Sequence, residues 1–412
     1  MNARSIALLA AVVAAVTASS GSRGLYAAGA AARAAANADY EPPGAADGPY
    51  AKAPALGIRI GALRPGRYDA ITDVAGVRVG HITHVAGAGP LVPGHGPVRT
   101  GVTAIVPRDD VWHRKVFAAA WPLNGNGEMT GATWINEAGW LEVPILLTDT
   151  LSVGRVDDGV VSWMIKRYSG IGRGDDVPLP VVAECDDEYL NDQQGRHNTA
   201  ADAEAALNAA GGGPVAQGSV GAGTGMMSFR YKGGIGSASR VLQPADGAYT
   251  VGVLLNANNG GEPREHLTIQ GVPVGAHMQQ ATRPAPRPAE GSIVVVIATD
   301  APLLADQLLR LCKRAALGLA RTGASSRTGS GDLIIAFSTA NSIAHYPHAR
   351  TFKVVALDQY HIDPLFQATE DATEEALVNA LLAAQTVVGR DGHVGRAIPH
   401  AQLLDILRRY GR

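Results

Sequence analysis

A proline-rich stretch, Ala281-Thr-Arg-Pro-Ala-Pro-Arg-Pro-Ala-Glu290, runs into the apolar, β-branched run Ile293-Val-Val-Val-Ile-Ala298, with only Gly291 and Ser292 between them. Proline cannot donate to a strand ladder, so the first segment stays out of any central strand and reads as an exposed, cleavable linker. The second reads as a strand buried on at least one face. Exposed chain therefore gives way to core at a single dipeptide. Thr103–Val106, Val143–Leu147, Val181–Glu184, Tyr249–Leu255, Leu333–Phe337 and Phe352–Ala356 read as further buried strands.

Two helices carry clear signals. Asp300 is a suitable N-cap, Pro302 sits near the first helical position, and Leu304, Leu308, Leu311, Ala315 and Leu319 recur at helical spacing before Gly323. A second helix is expected from Asp371–Glu374, with Ala376, Leu377, Ala380, Leu381 and Ala384 on its apolar face and Gly389 as its stop. Weaker patterns cover Val156–Tyr168 and Ala200–Ala210. Strands and helices without strict alternation predict α+β layering, with sheets covered by helices. At 46% hydrophobic residues the chain has ample material for a core.

At the N-terminus, Arg4 precedes the apolar run Ile6–Val16 and the small residues Thr17–Ser20. The run is too short to span a bilayer and has the layout of a secretory signal. Residues 1–20 are therefore expected to be a signal peptide, 21–55 an Ala/Gly-rich disordered segment, and 56–412 a single catalytic domain, placed in the periplasm or secreted. A net charge of -2 offers no attraction to nucleic acid, and no membrane attachment is expected after processing. Cys185 and Cys312 are too few for a disulfide framework and read as small buried hydrophobes.

The chemistry gathers at the junction. A serine hydroxyl at position 292 can attack the carbonyl of Gly291, and hydrolysis of the ester frees an N-terminal serine. Its α-amine, with a pKa of about 7.7–8.0, can take the proton of its own side chain. Downstream, Gly329-Ser-Gly-Asp332 starts a strand: Ser330 is a candidate to hydrogen-bond the nucleophile and Asp332 to orient its amine. Asn258, in Asn256-Ala-Asn-Asn-Gly-Gly261, is a candidate oxyanion donor. The glycine run Gly218–Gly225 fits neither nucleotide-binding template and precedes a strand-like segment, Met226–Lys232, so it reads as backbone packing against an active-site wall. His81 and His84 form a weak H-x-x-H signal and read as structural histidines. No metal or other cofactor is called for.

Taken together, these segments resemble the self-processing peptidase family that includes the L-aminopeptidase D-amidase/esterases and the β-peptidyl aminopeptidases, of the N-terminal nucleophile type. The resemblance rests on Ala70–His81, Arg99–Ile105, Leu123–Gly131, Gly221–Met226, Lys232–Gly236, Gly291–Ile293, Ala298–Leu304, Gly329–Asp332 and Asp363–Thr369. It implies a four-layer αββα sandwich and a precursor cut between Gly291 and Ser292 into an α chain ending at 291 and a β chain of 292–412. It also implies Ser292 as nucleophile, Ser330 and Asp332 as its assistants, Asn258 in the oxyanion hole, and Glu184 as the acid that binds the substrate's ammonium group. The implied substrate is a short peptide, amide or ester with a free amine, and the implied assembly a tetramer. One departure stands out: relatives often carry tyrosine two residues after that glutamate, where this chain has Asp186.

Two alternatives remain open at this point. Ornithine acetyltransferases and nylon-oligomer hydrolases share a similar architecture, usually with a threonine nucleophile. A non-catalytic exported binding protein would keep the chain intact.

Overall fold

The computed structural model describes residues 52–278 and 291–412. The expected signal peptide, nearly all of the Ala/Gly-rich segment and the proline-rich linker lie outside the described residues.

Two sheets face each other. The smaller has the order β1 (Arg78–Ala86), β2 (Val98–Val106), β5 (Ile145–Asp149), β6 (Val181–Cys185). The larger has the order β4 (Trp140–Leu141), β3 (Arg114–Gly125), β12 (Ser330–Ala344), β11 (Gly291–Thr299), β10 (Thr250–Asn258), β9 (Gly234–Val241). Between β6 and β9 lies a small hairpin, β7 (Met227–Ser228) with β8 (Tyr231–Lys232), and near the C-terminus another, β13 (Val387–Val388) with β14 (Val394–Gly395). The helices are α1 (Ala132–Ala138), α2 (Val153–Arg167), α3 (Ala200–Asn208), α4 (Val274–His277), α5 (Ala305–Arg321), α6 (Asp363–Ala383) and α7 (His400–Arg409).

Strand alternation explains the layering. Val294, Val296 and Ala298 of β11 join a core that lies between the sheets and continues across the smaller sheet to Val156, Val160 and Met164 of α2 and Ala203, Ala206 and Leu207 of α3 on its outer face. Ile293, Val295 and Ile297 instead join Leu308, Leu311, Ala315, Leu377 and Leu381 of α5 and α6. The run after Ser292 is thus buried on both faces, each valine and isoleucine contributing about 1.5–3 kcal/mol. The result is the α+β, four-layer αββα sandwich. Cys185 lies in the first core and Cys312 in the second, both as free thiols.

Some local expectations are corrected. The chain is already packed before residue 56: Ala53 is buried, and its N–H donates to Asn379 Oδ1 at 2.8 Å. Helix α5 starts at Ala305, with Gln307 reaching back to the Leu304 N–H, because Asp300 is occupied by the N–H of Thr250 at 2.7 Å. Helix α6 starts at Asp363, with Pro364 in its first turn, eight residues before the acids read as its beginning. Those acids are interior: Asp371 accepts from Arg321 at 2.7 Å and Glu375 pairs with Arg240 at 2.5 Å. Phe352–Ala356 forms no strand, and Phe352, Val354 and Val355 are exposed. Met226–Lys232 is a tight hairpin rather than one strand, with Phe229 and Arg230 at positive φ.

Candidate active site

Strand direction brings the candidate residues together. β10 runs antiparallel to β11, so Asn258 at its end lies directly opposite Ser292 at the start of β11. β12 runs parallel to β11, pairing Ser330 with Gly291 and Gly331 with Ser292. β6 of the facing sheet ends beside them at Glu184 and Cys185.

The Asn258 amide is oriented by its neighbours. Its Oδ1 accepts the N–H of Met227 at 2.9 Å, so Nδ2 donates to Ser292 Oγ at 3.1 Å and to the Asp186 carbonyl at 2.6 Å. A cavity of about 580 Å³ opens over this pair and extends to Glu184, with Glu128, Asp186, Glu188, Tyr189 and Arg390 among its walls. Glu184 is buried: Oε1 accepts the Glu128 N–H at 3.1 Å and Oε2 the Thr150 hydroxyl. Burial raises its pKa above the ordinary carboxylate range, against the pull of those two hydrogen bonds. An arriving ammonium group would favour the ionised form.

Ser330 and Asp332 stand apart from this cavity. Ser330 Oγ donates to Asp332 Oδ1 at 2.7 Å, and Asp332 Oδ2 has no partner in hydrogen-bonding geometry among the described residues. The strand register places the pair beside the backbone of the junction, and the hydrogen bond that Ser330 makes runs to Asp332, not to Ser292. Burial raises the pKa of Asp332, opposed by the Ser330 hydroxyl. Cys185 is the other nucleophilic side chain nearby, but burial pushes its thiol well above its usual range, which disfavours a reactive thiolate.

Several participants carried no sequence signal. Thr150 and the backbone N–H of Met227 act through contacts that only the tertiary fold creates. Asp186 supports Asn258 through its carbonyl, while its exposed carboxylate accepts from the Glu188 N–H at 2.8 Å and from Gln193 Nε2 at 3.0 Å. Tyr189 stacks on His393 with ring centroids 4.5 Å apart. The glycine run packs its backbone between the sheets: a Cβ on Gly221 would lie 2.3 Å from Thr103 Oγ1, and Gly225 lines the cavity. His81 Nδ1 meets Thr103 Oγ1 at 2.9 Å and His84 pairs with Asp202 at 3.0 Å, both structural contacts.

The family model described as peptidase family S58 matches residues 69–395. The chain belongs to peptidase family S58. With the family comes the reaction class, so this S58 peptidase is a hydrolase with aminopeptidase activity. It is 42% identical over 381 residues to the β-peptidyl aminopeptidase BapA of Sphingosinicella microcystinivorans, covering 89% of this chain and 94% of that one. A solved β-aminopeptidase from Burkholderia sp. matches with a TM-score of 0.81 at 44% identity, over 88% of this chain and 99% of that one. The L-aminopeptidase D-Ala-esterase/amidase of Ochrobactrum anthropi, described as a serine aminopeptidase and a variant of the Ntn hydrolase fold, matches with a TM-score of 0.80 at 40% identity, over 88% and 99%. The motif resemblance and the sandwich fold both agree with these relatives.

Proposed function

We propose that this S58 peptidase cuts its own chain between Gly291 and Ser292 and then uses Ser292 to release N-terminal residues, β-residues included, from short peptides, amides and esters. The observation that carries this reading is the contact between Asn258 Nδ2 and Ser292 Oγ in a cavity that ends at the buried Glu184.

In the first reaction Ser292 Oγ adds to the Gly291 carbonyl carbon. The peptide C–N bond breaks, the Ser292 nitrogen gains a proton, and an ester remains. Water hydrolyses it to a Gly291 carboxylate and a free Ser292 amine. Asp332, with one oxygen held by Ser330, lies beside this backbone to receive the new amine. In the second reaction the neutral amine takes the hydroxyl proton as Oγ attacks the substrate carbonyl. Asn258 holds the oxyanion, and Glu184 holds the substrate's ammonium group by a charge-assisted hydrogen bond. The leaving amine departs with a proton, and water releases the acyl group. The β-residue substrates are supported by the names of the Sphingosinicella and Burkholderia relatives.

The same reading places the mature enzyme outside the cytoplasm, on the strength of Arg4 and the apolar run Ile6–Val16, and assembles it as a homotetramer. Among the described residues no helix is long and apolar enough to cross a membrane.

Denaturing electrophoresis with N-terminal sequencing tests the proposal. Active wild-type enzyme should yield two chains, one beginning at Ser292, and Ser292→Ala should stay uncut and inactive. A fully active single chain would overturn it.

A further inference from the structure

A second cavity, of about 250 Å³, adjoins the catalytic one, and Gly125, Gly127 and Glu128 line both. Its remaining walls are mainly apolar, with Trp121, Met129, Ala132, Leu333 and Ile334 among them. Gly127 stands where the two meet. A Cβ there would lie 3.1 Å from Glu184 Oε1, 3.2 Å from Gly331 Cα and 3.5 Å from Leu333 Cδ1. Roughly one carbon atom therefore separates the buried carboxylate from the apolar wall. No positive φ demands glycine at this position. What its missing side chain provides is space.

We infer that this side cavity receives the side chain borne by the carbon that also carries the substrate's ammonium group. The inference rests on the reading of Glu184 as the ammonium anchor and Ser292 as the nucleophile. With the nitrogen held at Glu184, the carbon bonded to it lies one bond away, and a branch on that carbon starts at the Gly127 gap. The carbonyl carbon must meanwhile reach Ser292. In an α-amino acid the branch is on the α-carbon. In a β-residue it is on the same nitrogen-bearing carbon only in the β3 series. A β2 residue carries its branch next to the carbonyl, on the Ser292 side, away from the second cavity. The side cavity thus selects by regiochemistry as well as size: it takes large apolar side chains of α- and β3-residues, whereas a β2 side chain gains nothing from it and must share the catalytic cavity with the groups around Ser292.

The test compares p-nitroanilides of β-alanine, β3-homoleucine and its β2 isomer on processed wild type, Gly127→Ala and Ala132→Leu. Gly127→Ala closes the doorway. Ala132→Leu fills the cavity from α1, at a position that does not line the catalytic cavity, and so serves if the first variant misfolds. Wild type should favour the β3 over the β2 substrate by at least about 10-fold in kcat/KM, the scale at which apolar pockets discriminate. Each variant should lower kcat/KM for the β3 substrate by at least about 10-fold more than it lowers that for β-alanine. Equal losses on all three substrates, no loss on any, or a change confined to the oligomeric mass in light scattering would overturn the inference and leave the catalytic reading standing. If wild type cleaved none of the three, although sequencing showed Ser292 freed, both readings would fall.

Discussion

Asn258 and Ser292 are direct partners across β10 and β11, and the amide nitrogen of one lies 3.1 Å from the hydroxyl oxygen of the other. The Met227 N–H fixes which end of the amide faces Ser292 Oγ. A donor already oriented in the resting enzyme costs no reorganisation when charge develops, which is where such groups gain their effect.

Asn258→Ala should therefore lower kcat by about 10²–10³, with a smaller change in KM. Asn258→Asp should be no better, because a carboxylate oxygen would replace the Nδ2 donor and face the Asp186 carbonyl. Steady-state kinetics on an amino-acid p-nitroanilide, with circular dichroism to show that each variant is folded, checks both.

Glu184→Gln should separate processing from substrate binding. The Gly291–Ser292 bond, where we propose self-cleavage, presents no free ammonium group, so both chains should still form on a denaturing gel. For substrates with a free amine, loss of a charge-assisted hydrogen bond worth about 1.5–3 kcal/mol should cut kcat/KM by about 10- to 100-fold, chiefly through KM. Loss of self-cleavage in a folded Glu184→Gln protein would show that the acid serves the first reaction as well.

Legibility of the sequence tracks how local each signal is. The β11 run reveals itself because its residues are apolar on both faces, and the clustering of Ser292, Ser330, Asp332 and Asn258 follows once those strands are adjacent. Strands β1, β3 and β9 escape notice because they mix polar residues or glycine with apolar ones: Gly236 and Ser237 of β9 lie buried on neighbouring strands and helices that sequence cannot place. Helix α6 misleads for an electrostatic reason. Asp371, Glu374 and Glu375 look like the solvent-exposed first turn of a helix, yet they point inward to Arg321 and Arg240 from distant parts of the chain. The Gly127 doorway depends on distances between three separate segments, which no spacing rule encodes.

That inward electrostatics gives a stability prediction. Arg240 and Glu375 are both nearly inaccessible, with Nη2 2.5 Å from Oε2. Arg240 also lies 3.8 Å from Asp69, so Arg240→Met leaves two buried carboxyl groups without their cation and should cost about 3–5 kcal/mol in urea unfolding, whereas the Arg240→Met/Glu375→Leu double variant should recover the part that belongs to Glu375.

The half-buried ring of His81 makes stability depend on pH. Its Nδ1 is held by Thr103, its Nε2 is inaccessible and has no hydrogen-bond partner among the described residues, and burial lowers its pKa to about 4. Between pH 4 and an unfolded value near 6.5, the unfolded chain binds the proton that the folded chain refuses. Its contribution is thus full above about pH 6.5 and is lost as pH falls toward 4. His81→Gln should flatten that part of the stability profile by about 1–3 kcal/mol, read from melting temperatures across the range.

Asp332 should act through the charge state of the Ser292 amine. That amine must be neutral to accept the hydroxyl proton, so activity is lost as pH falls through its pKa. A carboxylate beside it favours the ammonium form and holds that pKa up. Asp332→Asn removes the negative charge while leaving an oxygen for the Ser330 hydroxyl, which now bonds Asp332 Oδ1 at 2.7 Å. The amine pKa should then fall, moving the acid limb of kcat/KM to lower pH by about half to one unit, where one unit corresponds to about 1.4 kcal/mol. Ser330→Ala removes the hydroxyl but keeps the charge, so it should lower the plateau without a comparable shift. An acid limb that stayed in place in Asp332→Asn, while the plateau fell, would assign Asp332 to holding the strand rather than to the amine.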